Sequence, residues 1–226
     1  MIYLDIETIP GQQPWAREEA AISVKPPGTL KKAESLAAWE RDERPQAIEE
    51  AYARTGLDAA IGQVYCIGWA VDDGEPEVSR VADLTMGLLS EADVLEDFFD
   101  AVRKVYSGTH GTRPLFCGHN VAGFDLPFLY RRAVVCGIKP PPCLPRNPAP
   151  WDDYVRDTMT MWAGNRDRIS LDKLCRALGI PGKGGGPTGA DVWPMVQAGR
   201  GEEVAEYCKQ DVIRARAIYK RLVFAD

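Results

Sequence analysis

The opening run Ile2-Tyr3-Leu4-Asp5-Ile6-Glu7 alternates without a break. Successive side chains of a strand point to opposite faces, so Ile2, Leu4 and Ile6 share one face and Tyr3, Asp5 and Glu7 the other. Such a face is either solvated or has a reason to hold two carboxylates about 7 Å apart along the strand. Where water is partly excluded the two acids repel each other, and a divalent cation between them reverses that cost.

The rest of the 226 residues must cover this strand, and a composition 45% hydrophobic and 27% charged is sufficient for one substantial α/β core. No run of about 18 apolar residues occurs, so no membrane span is expected. Met1 leads directly into the strand without a basic segment, apolar stretch and cleavage site, which predicts a cytoplasmic protein. Six cysteines form no C-x-x-C pair and the histidines are His110 and His119, so zinc ribbons and disulfide frameworks are not expected. The net charge of −6 is uneven, −11 over residues 1–110 and +5 over 111–226. A polyanion would lie along the second half, and the overall acidity argues against tight non-specific duplex binding.

Residues 10–62 carry Pro26-Pro27-Gly28 and helix-like stretches rich in Ala, Glu and Arg, and read as an insertion or cap on a single domain spanning 1–226. Strand signals resume at 63–71 and, after Asp72-Asp73-Gly74, at 77–81, as a hairpin-like pair. Helical spacing of Val94, Leu95, Phe98 and Val102 predicts a helix over 91–106. A short strand at 115–117 leads through Gly118-His119-Asn120 into a helix reaching Val135, and the stretch 139–151 reads as irregular surface structure. A Ser cap and a Gly stop bracket a short helix at 170–179, the loop Gly182-Lys-Gly-Gly-Gly186 follows, and a helix over 202–222 closes the chain.

Two further carboxylates sit against their local pattern. Val204, Cys208, Asp211, Ala215, Ile218 and Leu222 follow 4-3-4-3-4 spacing, which puts Asp211 in the inward stripe of the last helix. Tyr207 lies four residues earlier on the same side. A neighbouring arginine such as Arg214 would make Asp211 tolerable without any ligand. Asp125, in Asp-Leu-Pro at a helix start, also fits an N-cap followed by an early proline.

Taken together, Tyr3-Leu4-Asp5-Ile6-Glu7-Thr8, the segment from Gly118 through Phe124-Asp125 to Leu129, and Tyr207-Cys208-Lys209-Gln210-Asp211 resemble, in order, the three motifs of the DEDD superfamily of 3′–5′ exonucleases. Tyr207 four residues before Asp211 resembles the tyrosine-bearing subgroup (DEDDy), since Glu206 stands where the other subgroup has histidine. Within it, the chain is similar to the proofreading domain of family B DNA polymerases and to its free-standing relatives, a resemblance covering about 1–9 and 63–226. It implies a ribonuclease H-like fold, a mixed central sheet flanked by helices.

The resemblance further implies two Mg²⁺ or Mn²⁺ ions, consistent with hard oxygen donors. Asp5 would bridge both, Glu7 and Asp211 would complete one site, Asp125 would hold the second ion, and Tyr207 would orient the attacking water. The expected reaction is metal-dependent hydrolysis of the 3′-terminal phosphodiester of single-stranded DNA, releasing nucleoside 5′-monophosphates. Thr8 and Ile9 are expected at the last sugar and base, Asn120 and Phe124 at the next nucleotide, and Lys183 at a phosphate, with core packing the alternative for Phe124 and Phe128 and a solvated loop position for Lys183. The loop is not a P-loop, because Gly184 follows Lys183. Any polymerase or repair partner would act in trans. The rival readings are an exoribonuclease trimming RNA 3′ ends and a catalytically silent single-strand-binding module. A dinucleotide enzyme is remote without G-x-G-x-x-G after the first strand.

Overall fold

The computed structural model describes residues 1–82, 90–109, 112–149 and 151–225. The elements run β1 (Ile2–Ile9), α1 (Pro14–Ser23), α2 (Ala33–Asp42), α3 (Arg44–Arg54), β2 (Gln63–Val71), β3 (Glu77–Arg80), α4 (Glu91–Gly108), β4 (Phe116–Gly118), α5 (Asp125–Val135), β5 (Val155–Asp157), α6 (Thr158–Ala163), α7 (Leu171–Leu178), α8 (Gly189–Gln197) and α9 (Gly201–Leu222). They form two compact units: Met1–Glu7 with Val64–Asp226, and Thr8–Gln63.

The larger unit is built on a mixed five-stranded sheet of order β3-β2-β1-β4-β5. β4 runs parallel to β1, pairing Ile2 with Phe116 and Tyr3 with Cys117, and parallel to β5, pairing Gly118 with Asp157. β2 and β3 form the expected antiparallel pair, Cys66 opposite Arg80 and Trp69 opposite Glu77. Strand parity then decides which helix covers which face. Tyr3, Ala70 and Cys117 pack with Val212 of α9, while Trp69, one residue out of phase with Ala70, stacks against Phe98 of α4 with ring centroids 5.7 Å apart. Asp5 and Glu7 share the parity of Tyr3 and therefore face the α9 side. Gly68 allows α9 this close to the sheet, since a Cβ there would meet Cys208 Sγ and Val212 Cγ2 at 3.1 Å.

The predicted helix signals have clear physical counterparts. Ser90 and Asp93 form a capping box at the start of α4. Ser170 caps α7 by accepting from Lys173 N, and Gly179 ends it in the left-handed region at φ 69°. The charged anchor of this unit went unread in the sequence. Arg132 of α5, 1% exposed, is held bidentately by Glu91, with Nε to Oε1 at 2.7 Å and Nη2 to Oε2 at 2.6 Å. Glu91 Oε1 also accepts from Val64 N at 2.8 Å, so one carboxylate joins α4, α5 and the start of β2.

The smaller unit, outside the resemblance, is helical. α1 and α3 pack together, Ala16, Ala20 and Tyr52 are buried, and Tyr52 donates to Gly11 O at 3.0 Å. Arg17 lies over the Tyr52 ring and pairs with Glu49.

A buried ion pair that loses one partner leaves an uncompensated charge, at a cost of about 3–5 kcal/mol. Glu91→Ala should therefore lower the unfolding free energy by about that amount in urea titrations. A loss under about 1 kcal/mol would place the pair among the energetically neutral surface contacts.

Candidate metal centre

β1 and α9 bring three carboxylates together. One oxygen from each of Asp5, Glu7 and Asp211 lies within 4.8 Å of the others. The sheet face carrying Asp5 and Glu7 is largely closed to water: Tyr3 is 4% exposed and Glu7 8%, Asp5 is half-buried, and Asp211 arrives from α9 at 4%. The backbone fixes the approach of α9, with the Cys208 thiol donating to Asp5 O at 3.3 Å. Asp125 adjoins the cluster without entering it. Phe124 is the N-cap of α5 and caps through no side chain, whereas Asp125, buried at the first helical position, accepts from Ile6 N of β1 through Oδ1 at 3.1 Å. The carboxylate thus reaches across to the strand rather than capping its own helix.

Such crowding is electrostatically expensive, and the acids respond as expected. Burial, followed by the charges of Glu7, Asp125 and Asp211, pushes the Asp5 carboxyl well above the ordinary range. Glu7 is pushed up to about 8, by burial first and then by Asp211. Asp125 is pushed up to about 7 by burial, against hydrogen bonds from its own and the Ile6 backbone N–H. Burial together with the charges of Glu7, Asp211 and Asp5 raises the Tyr207 phenol far above its usual value, so it stays protonated at neutral pH. Asp5 Oδ2 is sealed from solvent and has no hydrogen-bond partner. A buried carboxylate oxygen without a donor, beside two other hard oxygen donors at this spacing, fits a divalent cation. The carboxylate group can hold one.

Asp211 is the member with cationic partners. Arg214 Nη1 donates to its Oδ1 at 2.7 Å, and Lys183 Nζ donates to its Oδ2 at 2.6 Å and to the Tyr207 hydroxyl. Both an arginine partner and a lysine contributed by the glycine loop are therefore present.

The sequence pattern of predicted 3′–5′ exonucleases related to the exonuclease domain of PolB matches residues 57–226. The chain belongs to that family. Its fold is similar to that of the family B DNA polymerase from the hyperthermophilic archaeon Pyrobaculum calidifontis, with a TM-score of 0.56 and 19% identity. That match covers 74% of this chain and 22% of the polymerase, so the chain spans about a fifth of its length. No curated protein matches the sequence. The mixed sheet with flanking helices is thus the ribonuclease H-like fold of a PolB exonuclease. Among the described residues no helix is long and apolar enough to cross a membrane.

The substrate contacts expected from sequence fall in diverse settings. Thr8 and Ile9 belong to the smaller unit, Thr8 half-buried and Ile9 fully buried, which leaves Ile9 no free surface to set against a base in this structure. Asn120 is half-buried, with φ 64°. Phe124 is half-buried and tilts onto buried Phe128, with centroids 5.2 Å apart. Lys183 lies inside the carboxylate site rather than out in solvent. Of the two histidines, His110 lies outside the described residues, and His119 Nε2 donates to Ile169 O at 2.8 Å.

Sequence reasoning missed Asp157, 2% exposed at the end of β5. Its Oδ1 accepts from Asn120 N at 2.9 Å and Met159 N at 3.0 Å, and its Oδ2 from Ala122 N at 3.0 Å. One side chain thereby caps α6 and pins the loop that delivers Asp125. Asp followed by Thr-Met-Thr is an N-cap signal that would have located it.

A carboxyl whose folded pKa is raised contributes stability in full below its unfolded pKa and loses it as pH climbs through the folded value. For Glu7 that window runs from 4.5 to about 8. In EDTA, the melting temperature of the wild type should fall more steeply from pH 5 to 8 than that of Glu7→Gln, and saturating Mg²⁺ or Mn²⁺ should flatten the wild-type slope. Parallel curves, unchanged by either ion, would contradict the electrostatic account of the cluster.

Proposed function

We propose that the protein is a metal-dependent 3′–5′ exonuclease of the tyrosine-bearing type, acting on single-stranded DNA and releasing nucleoside 5′-monophosphates. The observation that carries this reading is the convergence of Asp5, Glu7 and Asp211 within 4.8 Å around an orphaned Asp5 oxygen, in a chain of the PolB-related exonuclease family.

Asp5, Glu7 and Asp211 would hold a Mg²⁺ or Mn²⁺ ion, and Asp125, on the adjoining helix start, would serve a second. When bound, such ions supply electrostatic stabilisation of the charge that develops on the phosphate and lower the pKa of a coordinated water. The chain's own residues do the positioning. β1 and α9 fix the acids on rigid elements, and the Cys208 contact sets the spacing between them. Tyr207 remains a neutral phenol, which suits it to orient a water by hydrogen bonding and disqualifies it as the general base at neutral pH. Phe124, half-exposed over Phe128, offers a ring on which a base can stack. A single strand is the preferred substrate because a paired, stacked end must first be unpaired to place its last nucleotide in the site. The cytoplasm is the proposed location, and a polymerase or repair protein the proposed kind of partner.

The test uses 5′-labelled and 3′-labelled oligonucleotides of matched DNA and RNA sequence with Mg²⁺, Mn²⁺ or EDTA. Stepwise shortening of 5′-labelled DNA, immediate release of a 3′-labelled mononucleotide and silence in EDTA are expected. Equal turnover of RNA would support the exoribonuclease reading, and binding without cleavage the silent-module reading. Asp5→Ala and Asp211→Ala should each cost more than about 10³-fold in rate. Tyr207→Phe should slow release by about a hundredfold while leaving the melting temperature intact. Near-wild-type rates in the aspartate variants would remove the site.

A further inference from the structure

We propose that Lys183 is a resident counter-cation of the carboxylate cluster that competes with the divalent ion for Asp211, and so sets how tightly the protein takes up its metal. The proposal rests on the metal reading above. Its starting point is the occupancy of Asp211: Arg214 holds Oδ1 and Lys183 holds Oδ2. With the ammonium 2.6 Å from Asp211 Oδ2, a divalent ion held by the same carboxylate would meet a second cation in a buried site, where screening by water is weak. One must yield.

The loop is built so that the lysine side chain can yield while its backbone stays. Lys183 N donates to Asp172 Oδ1 at 2.7 Å, which ties the start of the loop to α7. Gly182 permits this approach, since a Cβ there would lie 2.4 Å from Asp172 Oδ1. Beyond the tie, Gly184 and Gly185 adopt φ of 59° and 81° with open space around them. A cavity of about 290 Å³ lies beside the ammonium, lined by Lys183, Glu203, Glu206, Tyr207, Gln210 and Arg214. It offers the displaced side chain room. The Tyr207 ring, 4.2 Å from Nζ, borders the inward position.

The competition is read as metal affinity, independently of cleavage. Binding of Mn²⁺ is followed by electron paramagnetic resonance of the free ion at fixed pH and ionic strength. Lys183→Met should tighten Mn²⁺ binding about tenfold or more, and Lys183→Arg should return it close to wild type. Lys220→Met removes the same charge from α9 without touching Asp211 or the acids of the cavity, since its partner is Asp73. It should change affinity by less than about twofold. Unchanged or weaker binding in Lys183→Met, with a melting temperature showing the variant folded, overturns the competition and leaves the metal reading standing. An equal gain in Lys183→Met and Lys220→Met overturns it too, by showing a general charge effect. Absence of Mn²⁺ binding in the wild type and in every variant overturns both the metal reading and the competition.

Discussion

Mutual repulsion among buried carboxylates is the constraint around which this protein is organised. Asp5 and Glu7 face one side of the central sheet, and α9 lays Asp211 against them where little water reaches. Burial is the largest influence pushing the carboxyls of Asp5, Glu7 and Asp125 above their ordinary range, and neighbouring acids add to it. The arrangement becomes favourable only with positive charge close by. Arg214 and Lys183 provide some of it at Asp211, while Asp5 Oδ2 has no hydrogen-bond donor. A divalent ion, which the three carboxylates can hold, would meet the remaining demand.

The fold holds the acids in place through backbone anchors. Gly68 lets α9 lie close enough to the sheet for Cys208 to reach Asp5 O. Ile6 N receives Asp125, so the backbone of the metal strand also orients the acid from α5. Asp157 secures the intervening loop from the next strand over. Glu91 and Arg132 lock α4 and α5, the helix that starts with Asp125, to the start of β2. Sequentially distant residues thus converge because each is tied to a strand of one sheet, and rigid strands position functional groups better than loops do.

Much of this was legible in the sequence wherever a residue broke a strong periodicity. Strict alternation exposed Asp5 and Glu7, and the 4-3-4-3-4 stripe exposed Asp211, because an acid is conspicuous only against an apolar pattern. The caps of α4 and α7 were likewise written in Ser90, Ser170 and Gly179. Asp125 resisted, since capping and reaching across to a neighbouring strand use the same residue at the same place in a helix. For Lys183 the sequence offered a phosphate or solvent, and its contact with Asp211 went unread because the inward turn depends on Asp172, eleven residues earlier on another element. β5 and α8 were missed for kindred reasons. Three residues are too short to show alternation, and Pro194 inside α8 breaks the helical signal that its Thr188–Asp191 capping box sets up. Residues 10–62 gave their helical character but not their partner, because amphipathic helices announce a buried face without saying what covers it.

The central claim is that Asp5, Glu7 and Asp211 share a divalent ion. The most direct measurement is a crystal structure grown with Mn²⁺ and examined by anomalous scattering. The account predicts a manganese peak within about 2.0–2.6 Å of a carboxylate oxygen from each of the three residues. Density with no such peak, or with Asp211 engaged only by Lys183 and Arg214 at saturating Mn²⁺, would contradict it.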